Sequence, residues 1–125
     1  MRPNGNGKGM TQYRVNQAGV DKARAMIDAN QYDLDAEWSD AAPSADDGND
    51  QIERHGYDGY GEWHLAIDTG ASEDTKDRYG FPYGDFSRVI RSALIHAKQR
   101  ASQNDHTDVE RTADELLQHL DDVAG

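Results

Sequence analysis

The sequence predicts an all-α domain: a small bundle of four or five short helices closed by a C-terminal helical hairpin. Three observations carry that expectation. Phe86, Ile90, Ala93, Leu94, Ala97 and Ala101 fall within one arc of about 100° on a helical wheel. Val109, Ala113, Leu116, Leu117 and Leu120 repeat at i, i+4, i+7, i+8 and i+11. Val20, Ala23 and Ile27, with Met26 beside them, make a third apolar stripe behind a capping residue, Asn16. An α+β variant with a short strand near 57–67 is the alternative architecture.

In chain order, residues 1–9 hold three glycines, two asparagines and a proline, and read as a flexible arm ahead of a single helical domain over 10–125. Met10 is a second candidate start. Asn16 caps a helix over about Gln17–Ala29, with Tyr13 and Val15 placed to staple against it. Between Arg24 and Arg54 there is no basic residue and there are nine acids, so the segment reads as a solvated connection anchored by Tyr32 and Trp38. Pro43 opens a short helix over about Pro43–His55, since proline suits a first helical turn.

From Tyr57 to Ile67, Tyr60, Trp63 and Ile67 keep helical spacing, although Trp63, Leu65 and Ile67 also alternate. Ser72, Thr75 and Lys76 suggest one capped turn over about Glu73–Tyr79, closed by Gly80. Asp85 or Ser87 caps the next helix, which runs to about Ser102. A turn at Asn104-Asp105 and a cap at Thr107 start the last one, with Asp108 and Glu110 near its positive end. The short link between these two helices makes them an antiparallel hairpin.

Composition sets the solvent. The chain has 125 residues and carries 24 acids against 13 Lys and Arg, a formal charge of −11. Of the acids 18 are Asp, and only 4 of the bases are Lys. Leu, Ile, Val and Phe number 18, few enough to suggest disorder, yet the apolar periodicity argues for a folded, salt-adapted domain. At about 1 M salt the Debye length falls to about 3 Å, so an acidic surface stops repelling itself. No cysteine is present, which excludes a disulfide framework, a thiolate metal site and a cysteine nucleophile. Neither a membrane-spanning apolar run nor a secretory leader is legible, so a cytoplasmic protein is expected.

The run GEWHLAIDTGASEDTKDRYGFPYGDFSRVIRSALIHAKQRASQ, followed by VERTADELLQHLD, resembles a small protein family of bacteria and halophilic archaea. Trp63-His64-Leu65, Glu73-Asp74-Thr75-Lys76, Tyr83-Gly84-Asp85-Phe86 and Leu116 to Asp121 carry the likeness. It implies a self-contained domain and no mechanism, because no activity, cofactor or catalytic residue is assigned to that family.

Three constellations stand out as candidate sites. Arg88, Arg91 and Lys98, with Arg100, make the stretch 86–104 positive inside an acidic chain. They point to an anion or a partner, with nucleic acid as one option; docking of this helix on the protein's own acidic 28–53 segment is the plainer alternative. His55, Asp58, Glu62 and His64 have a spacing that would suit a divalent metal or a general base, without matching a known metal motif. His96, His106 and His119 show no triad spacing. The aromatic-rich stretch 57–86 supplies bulk to a leucine-poor core, and its turn at Gly80–Gly84 offers Phe81 and Tyr83 as partner contacts.

The function these features favour is a non-catalytic protein-interaction module of a halophilic archaeon, with an unidentified protein partner. No cofactor, metal site or membrane association is expected. The alternatives are a nucleic-acid or nucleotide-associated factor using the basic helix and, further off, a metal-dependent hydrolase.

Overall fold

The computed structural model describes residues 12–125, so the arm over 1–9 and the start at Met10 lie outside the described residues. The order of elements is β1 (Tyr13–Val15), α1 (Gln17–Asp28), β2 (Tyr32–Asp33), α2 (Trp38–Ala41), α3 (Ala45–Gly61), β3 (His64–Asp68), a 3-10 turn at Lys76–Arg78, β4 (Tyr79–Pro82), β5 (Val89–Ile90), α4 (Arg91–Gln103) and α5 (Thr107–Ala124). The all-α expectation is therefore overturned: the chain is α+β, the alternative architecture. Its three-stranded sheet has the order β1-β3-β4, and β2 pairs with β5 in a second, parallel pair.

The 57–67 stretch decides the class. Helical spacing holds only to Gly61, and from His64 the competing period of two wins. The cause is tertiary. β3 lies between two antiparallel neighbours, with Tyr13 opposite Asp68, Val15 opposite Ala66, His64 opposite Pro82 and Ile67 opposite Tyr79. Both edges of the strand are thereby paired, and His64, Leu65 and Ala66 are buried in succession, so both faces of its first half are covered as well. Gly80, expected to close a helical turn, instead lies within β4.

Several boundaries also move. α4 starts at Arg91 rather than near Ser87, because Phe86 takes a left-handed backbone (φ 70°) and Val89-Ile90 pair with Tyr32-Asp33. Asp85 caps a tight turn there, its Oδ1 accepting from the Ser87 and Arg88 amides at 3.0 and 2.8 Å. α3 opens at Ala45 rather than at Pro43, with Ser44 as its cap in a reciprocal capping box with Asp47. Thr107 is the first residue of α5, and His106 occupies the cap position.

The core forms where α1, the sheet and the C-terminal helices meet. Ala23, Met26 and Ile27 of α1 join Leu65 and Ala66 of β3 and the five apolar positions of α5. Ala93, Ala97 and Ala101 of α4 are small, which lets α5 come close enough to bury Leu116 and Leu120 completely. Trp63 and Tyr83 supply the missing bulk as a stacked pair, with ring centroids 5.6 Å apart. Among the described residues no helix is long and apolar enough to cross a membrane.

Candidate functional site

The basic residues of α4 meet the acids of α5. Arg91 Nε and Nη2 donate to the two carboxylate oxygens of Asp121 at 2.9 and 3.1 Å. Lys98 Nζ donates to Asp114 Oδ1 at 2.8 Å. Both pairs obey one antiparallel register, seven residues forward on α4 matching seven back on α5. That register sets Ile95 level with Leu117, and Ser102 level with Glu110. The seam of the hairpin thus reads ion pair, apolar pair, ion pair, then Ser102 beside Glu110.

The hydrogen bond and charge of Arg91 hold Asp121 below the usual carboxylate range, and Arg91 is raised in return. Lys98, helped by Gln118, lowers Asp114 in the same way. Arg88 stands apart from this seam. Its guanidinium reaches Asp33 at 3.4 Å and Asp85 at 3.6 Å, joining the β2–β5 pair to the 84–89 turn. One partner of Arg88, Asp33, lies in the acidic 28–53 segment, whereas Arg91 and Lys98 find theirs on α5. All three cations are half-exposed and paired, which leaves the nucleic-acid alternative without an observation of its own.

The two aromatic candidates part company. Tyr83 is completely buried, and its hydroxyl donates to the Glu62 carbonyl at 2.7 Å, so as a partner contact it must be corrected. The Gly84–Val89 bridge folds the turn back and puts Tyr83 under Trp63. Phe81 remains half-exposed, on a left-handed backbone (φ 60°), with its ring edge-on to Tyr13 and His106.

The histidine–carboxylate string is not brought together. His55 and Asp58 flank a break at Gly56 inside α3, Glu62 faces Lys22 at 3.9 Å, and His64 is buried in β3. His64 Nδ1 lies 3.0 Å from the Tyr60 carbonyl and donates to it, and burial pushes the imidazole down to about 4. Among the described residues no three His, Asp or Glu side chains are grouped to hold one ion. His119 instead contacts Asp28 at 2.7 Å, tying α5 to α1, and His96 is exposed.

Along the outside of the α4–α5 seam runs an open groove of about 610 Å³, lined by Ile95, Lys98, Gln99, Ser102, Gln103, Glu110 and Leu117. Comparison with protein-family models, with curated proteins and with solved structures returns no match. The groove therefore rests on its own geometry. Of its residues only Lys98 is a candidate site residue in the sequence. A signal was available: Ile95, Ser102 and Lys98 share one face of α4, as Glu110, Asp114 and Leu117 share one face of α5. It becomes readable only once the helices are known to be in register.

Proposed function

We propose that this chain is a non-catalytic protein-interaction module, working in a salt-rich cytoplasm, that receives an amphipathic helix of a partner along the α4–α5 groove. One observation carries the reading. Asp114 and Asp121 on the seam are paired, whereas Glu110, on the same wall and at the polar end of the groove, has no side-chain partner among the described residues. Ile95 and Leu117 form the opposite, apolar end. Such a groove suits a helix carrying an apolar side chain at one end and a lysine or arginine about one turn or two away. The surplus of acid on the chain adds long-range attraction for a basic partner where salt is low. In strong brine that attraction is screened, and the apolar end has to supply the affinity.

The test is a crosslinking capture from a lysate held in molar KCl, comparing wild type with the groove-filled variant Gln99→Trp/Ser102→Trp. Both positions are exposed on α4, so the helix content should be unchanged. A protein held by wild type through a basic amphipathic helix, and released by the filled groove, supports the reading. Identical captures by both forms overturn it, and so does a crosslink map that avoids α4 and α5. A Gln17→Trp variant on α1, away from the groove, should capture like wild type.

A further inference from the structure

α3 is not one rod. Gly48 and Tyr60 are twelve residues apart, which in a continuous helix separates them by about 18 Å. A Cβ placed on Gly48 would nevertheless lie 3.4 Å from Tyr60 Cε1. The chain must therefore double back between them, and it does so at Gly56, whose backbone is extended and left-handed (φ 73°, ψ 176°). The first arm, residues 45–55, lies over Tyr60 and over Lys76 of the 3-10 turn.

Little holds the arm down. Gly48 is its one buried residue, and Ile52 is half-buried. Lys76 Nζ donates to the Ala45 carbonyl at 3.1 Å and passes against Gly48, acting as a latch across 31 positions. Charge works the other way. The arm carries Asp46, Asp47, Asp50 and Glu53 against Arg54, and the segment bearing the latch carries Glu73, Asp74 and Asp77 against Lys76 itself and Arg78. The charge of Asp77 reaches Tyr60 itself, helping burial to raise its phenol. Beneath the arm, the Tyr60 ring lies 4.7 Å from that of the buried His64.

We propose that residues 45–55 are a lid hinged at Gly56 and latched by Lys76, closed in concentrated salt and released as the salt is withdrawn. Both sides of the contact carry a surplus of acid and little of the arm is buried, so screening decides the balance. Release uncovers Tyr60 and the buried edge of His64 while the α4–α5 hairpin stays folded.

Hydrogen exchange read by mass spectrometry tests this, from about 3 M KCl down to the lowest concentration at which α5 amides keep full protection. Exchange in 45–55 should rise about tenfold over that range, with α5 unchanged. Lys76→Met should open the lid at high salt. Asp46→Asn/Asp50→Asn/Glu53→Gln removes the repulsion and should hold it shut at the low end. Protection of 45–55 that ignores KCl overturns the proposal. Protection lost only in step with α5 also overturns it, as does a neutralised arm that opens like wild type.

Discussion

The side-chain amide of Asn16 donates to the Gly61 carbonyl at 2.9 Å, across 45 positions of sequence. The same nitrogen reaches the His64 carbonyl at 3.1 Å. Asn16 sits where a helix N-cap belongs, yet its side chain makes no capping bond to α1. It is spent on joining the start of α1 to the end of α3 and the first residue of β3. Gly19, one turn on, lets α1 approach so closely that a methyl group would collide with the His64 carbonyl oxygen.

That geometry separates two roles by one pair of variants. If Asn16 merely capped a helix, Asp would replace it well and Ala poorly. Because it donates to two buried carbonyls, Asn16→Asp should be the worse change, setting a carboxylate against two oxygens. Asn16→Ala should cost about 1–3 kcal/mol, and Asn16→Asp more, by thermal or denaturant unfolding in molar KCl.

Tyr83 should behave as a structural phenol. Burial raises it above its ordinary value near 10, with the Glu62 charge adding to the effect. The folded value lies above the unfolded one, so this contribution is complete below about pH 10 and is lost as the pH climbs beyond it. Ultraviolet titration should show Tyr83 ionising only together with unfolding. Tyr83→Phe removes the bond to the Glu62 carbonyl and should cost about 1–2 kcal/mol while keeping the stack on Trp63. A phenol that titrates reversibly in the folded protein would contradict this.

His64 should set part of the acid response. Its folded value of about 4 lies below the ordinary imidazole value of 6.5, because burial disfavours the imidazolium. The stabilisation is therefore present above about pH 6.5 and is lost as the pH falls toward 4. Nuclear magnetic resonance should find the ring neutral, protonated on Nδ1, at pH values near 5.5. His64→Phe should flatten the stability profile across that interval.

The seam ion pairs should be modest. The side chains of Arg91 and Asp121 are 36% and 51% exposed, so a double-mutant cycle with Arg91→Ala and Asp121→Ala should give a coupling below about 1 kcal/mol. Salt should reduce it further. Asp121 and Asp114 are both held below the ordinary carboxylate range, so their contribution is present above it and disappears as acidification protonates them. A coupling that grows with KCl would show that the pair acts through packing rather than charge.

Legibility along the chain followed the length of each pattern. Val109, Ala113, Leu116, Leu117 and Leu120 repeat over three turns and all are buried. α1 begins at Gln17, directly after Asn16 as its spacing suggests. By contrast β2 and β5 are two residues long and β1 is three, too short for a period of two to be distinguished from chance. Trp63, Leu65 and Ile67 did alternate, but Tyr60 and Ile67 matched the helical period as well, and only pairing with β1 and β4 breaks the tie. Among the candidate site residues, the positive charge of α4 was visible, while its partners on α5 and the groove beside them depended on register. Nothing local to Gly56 distinguishes a doubled-back helix from a weakened one.

The order of apolar and charged residues along the chain was enough to settle which faces of α1, α4 and α5 are buried, that α4 is cationic beside an anionic α5, and that the chain carries a surplus of carboxylates. These are properties of spacing within one or two turns and of total charge. The tertiary structure alone decided that β3 is a strand, that Tyr83 is interior, that Asn16 serves α3 and β3 rather than α1, and that Glu110 is left unpaired among the described residues. Each of these depends on which distant segment arrives alongside, and hydrogen bonds and burial are completed by that neighbour rather than by adjacent residues.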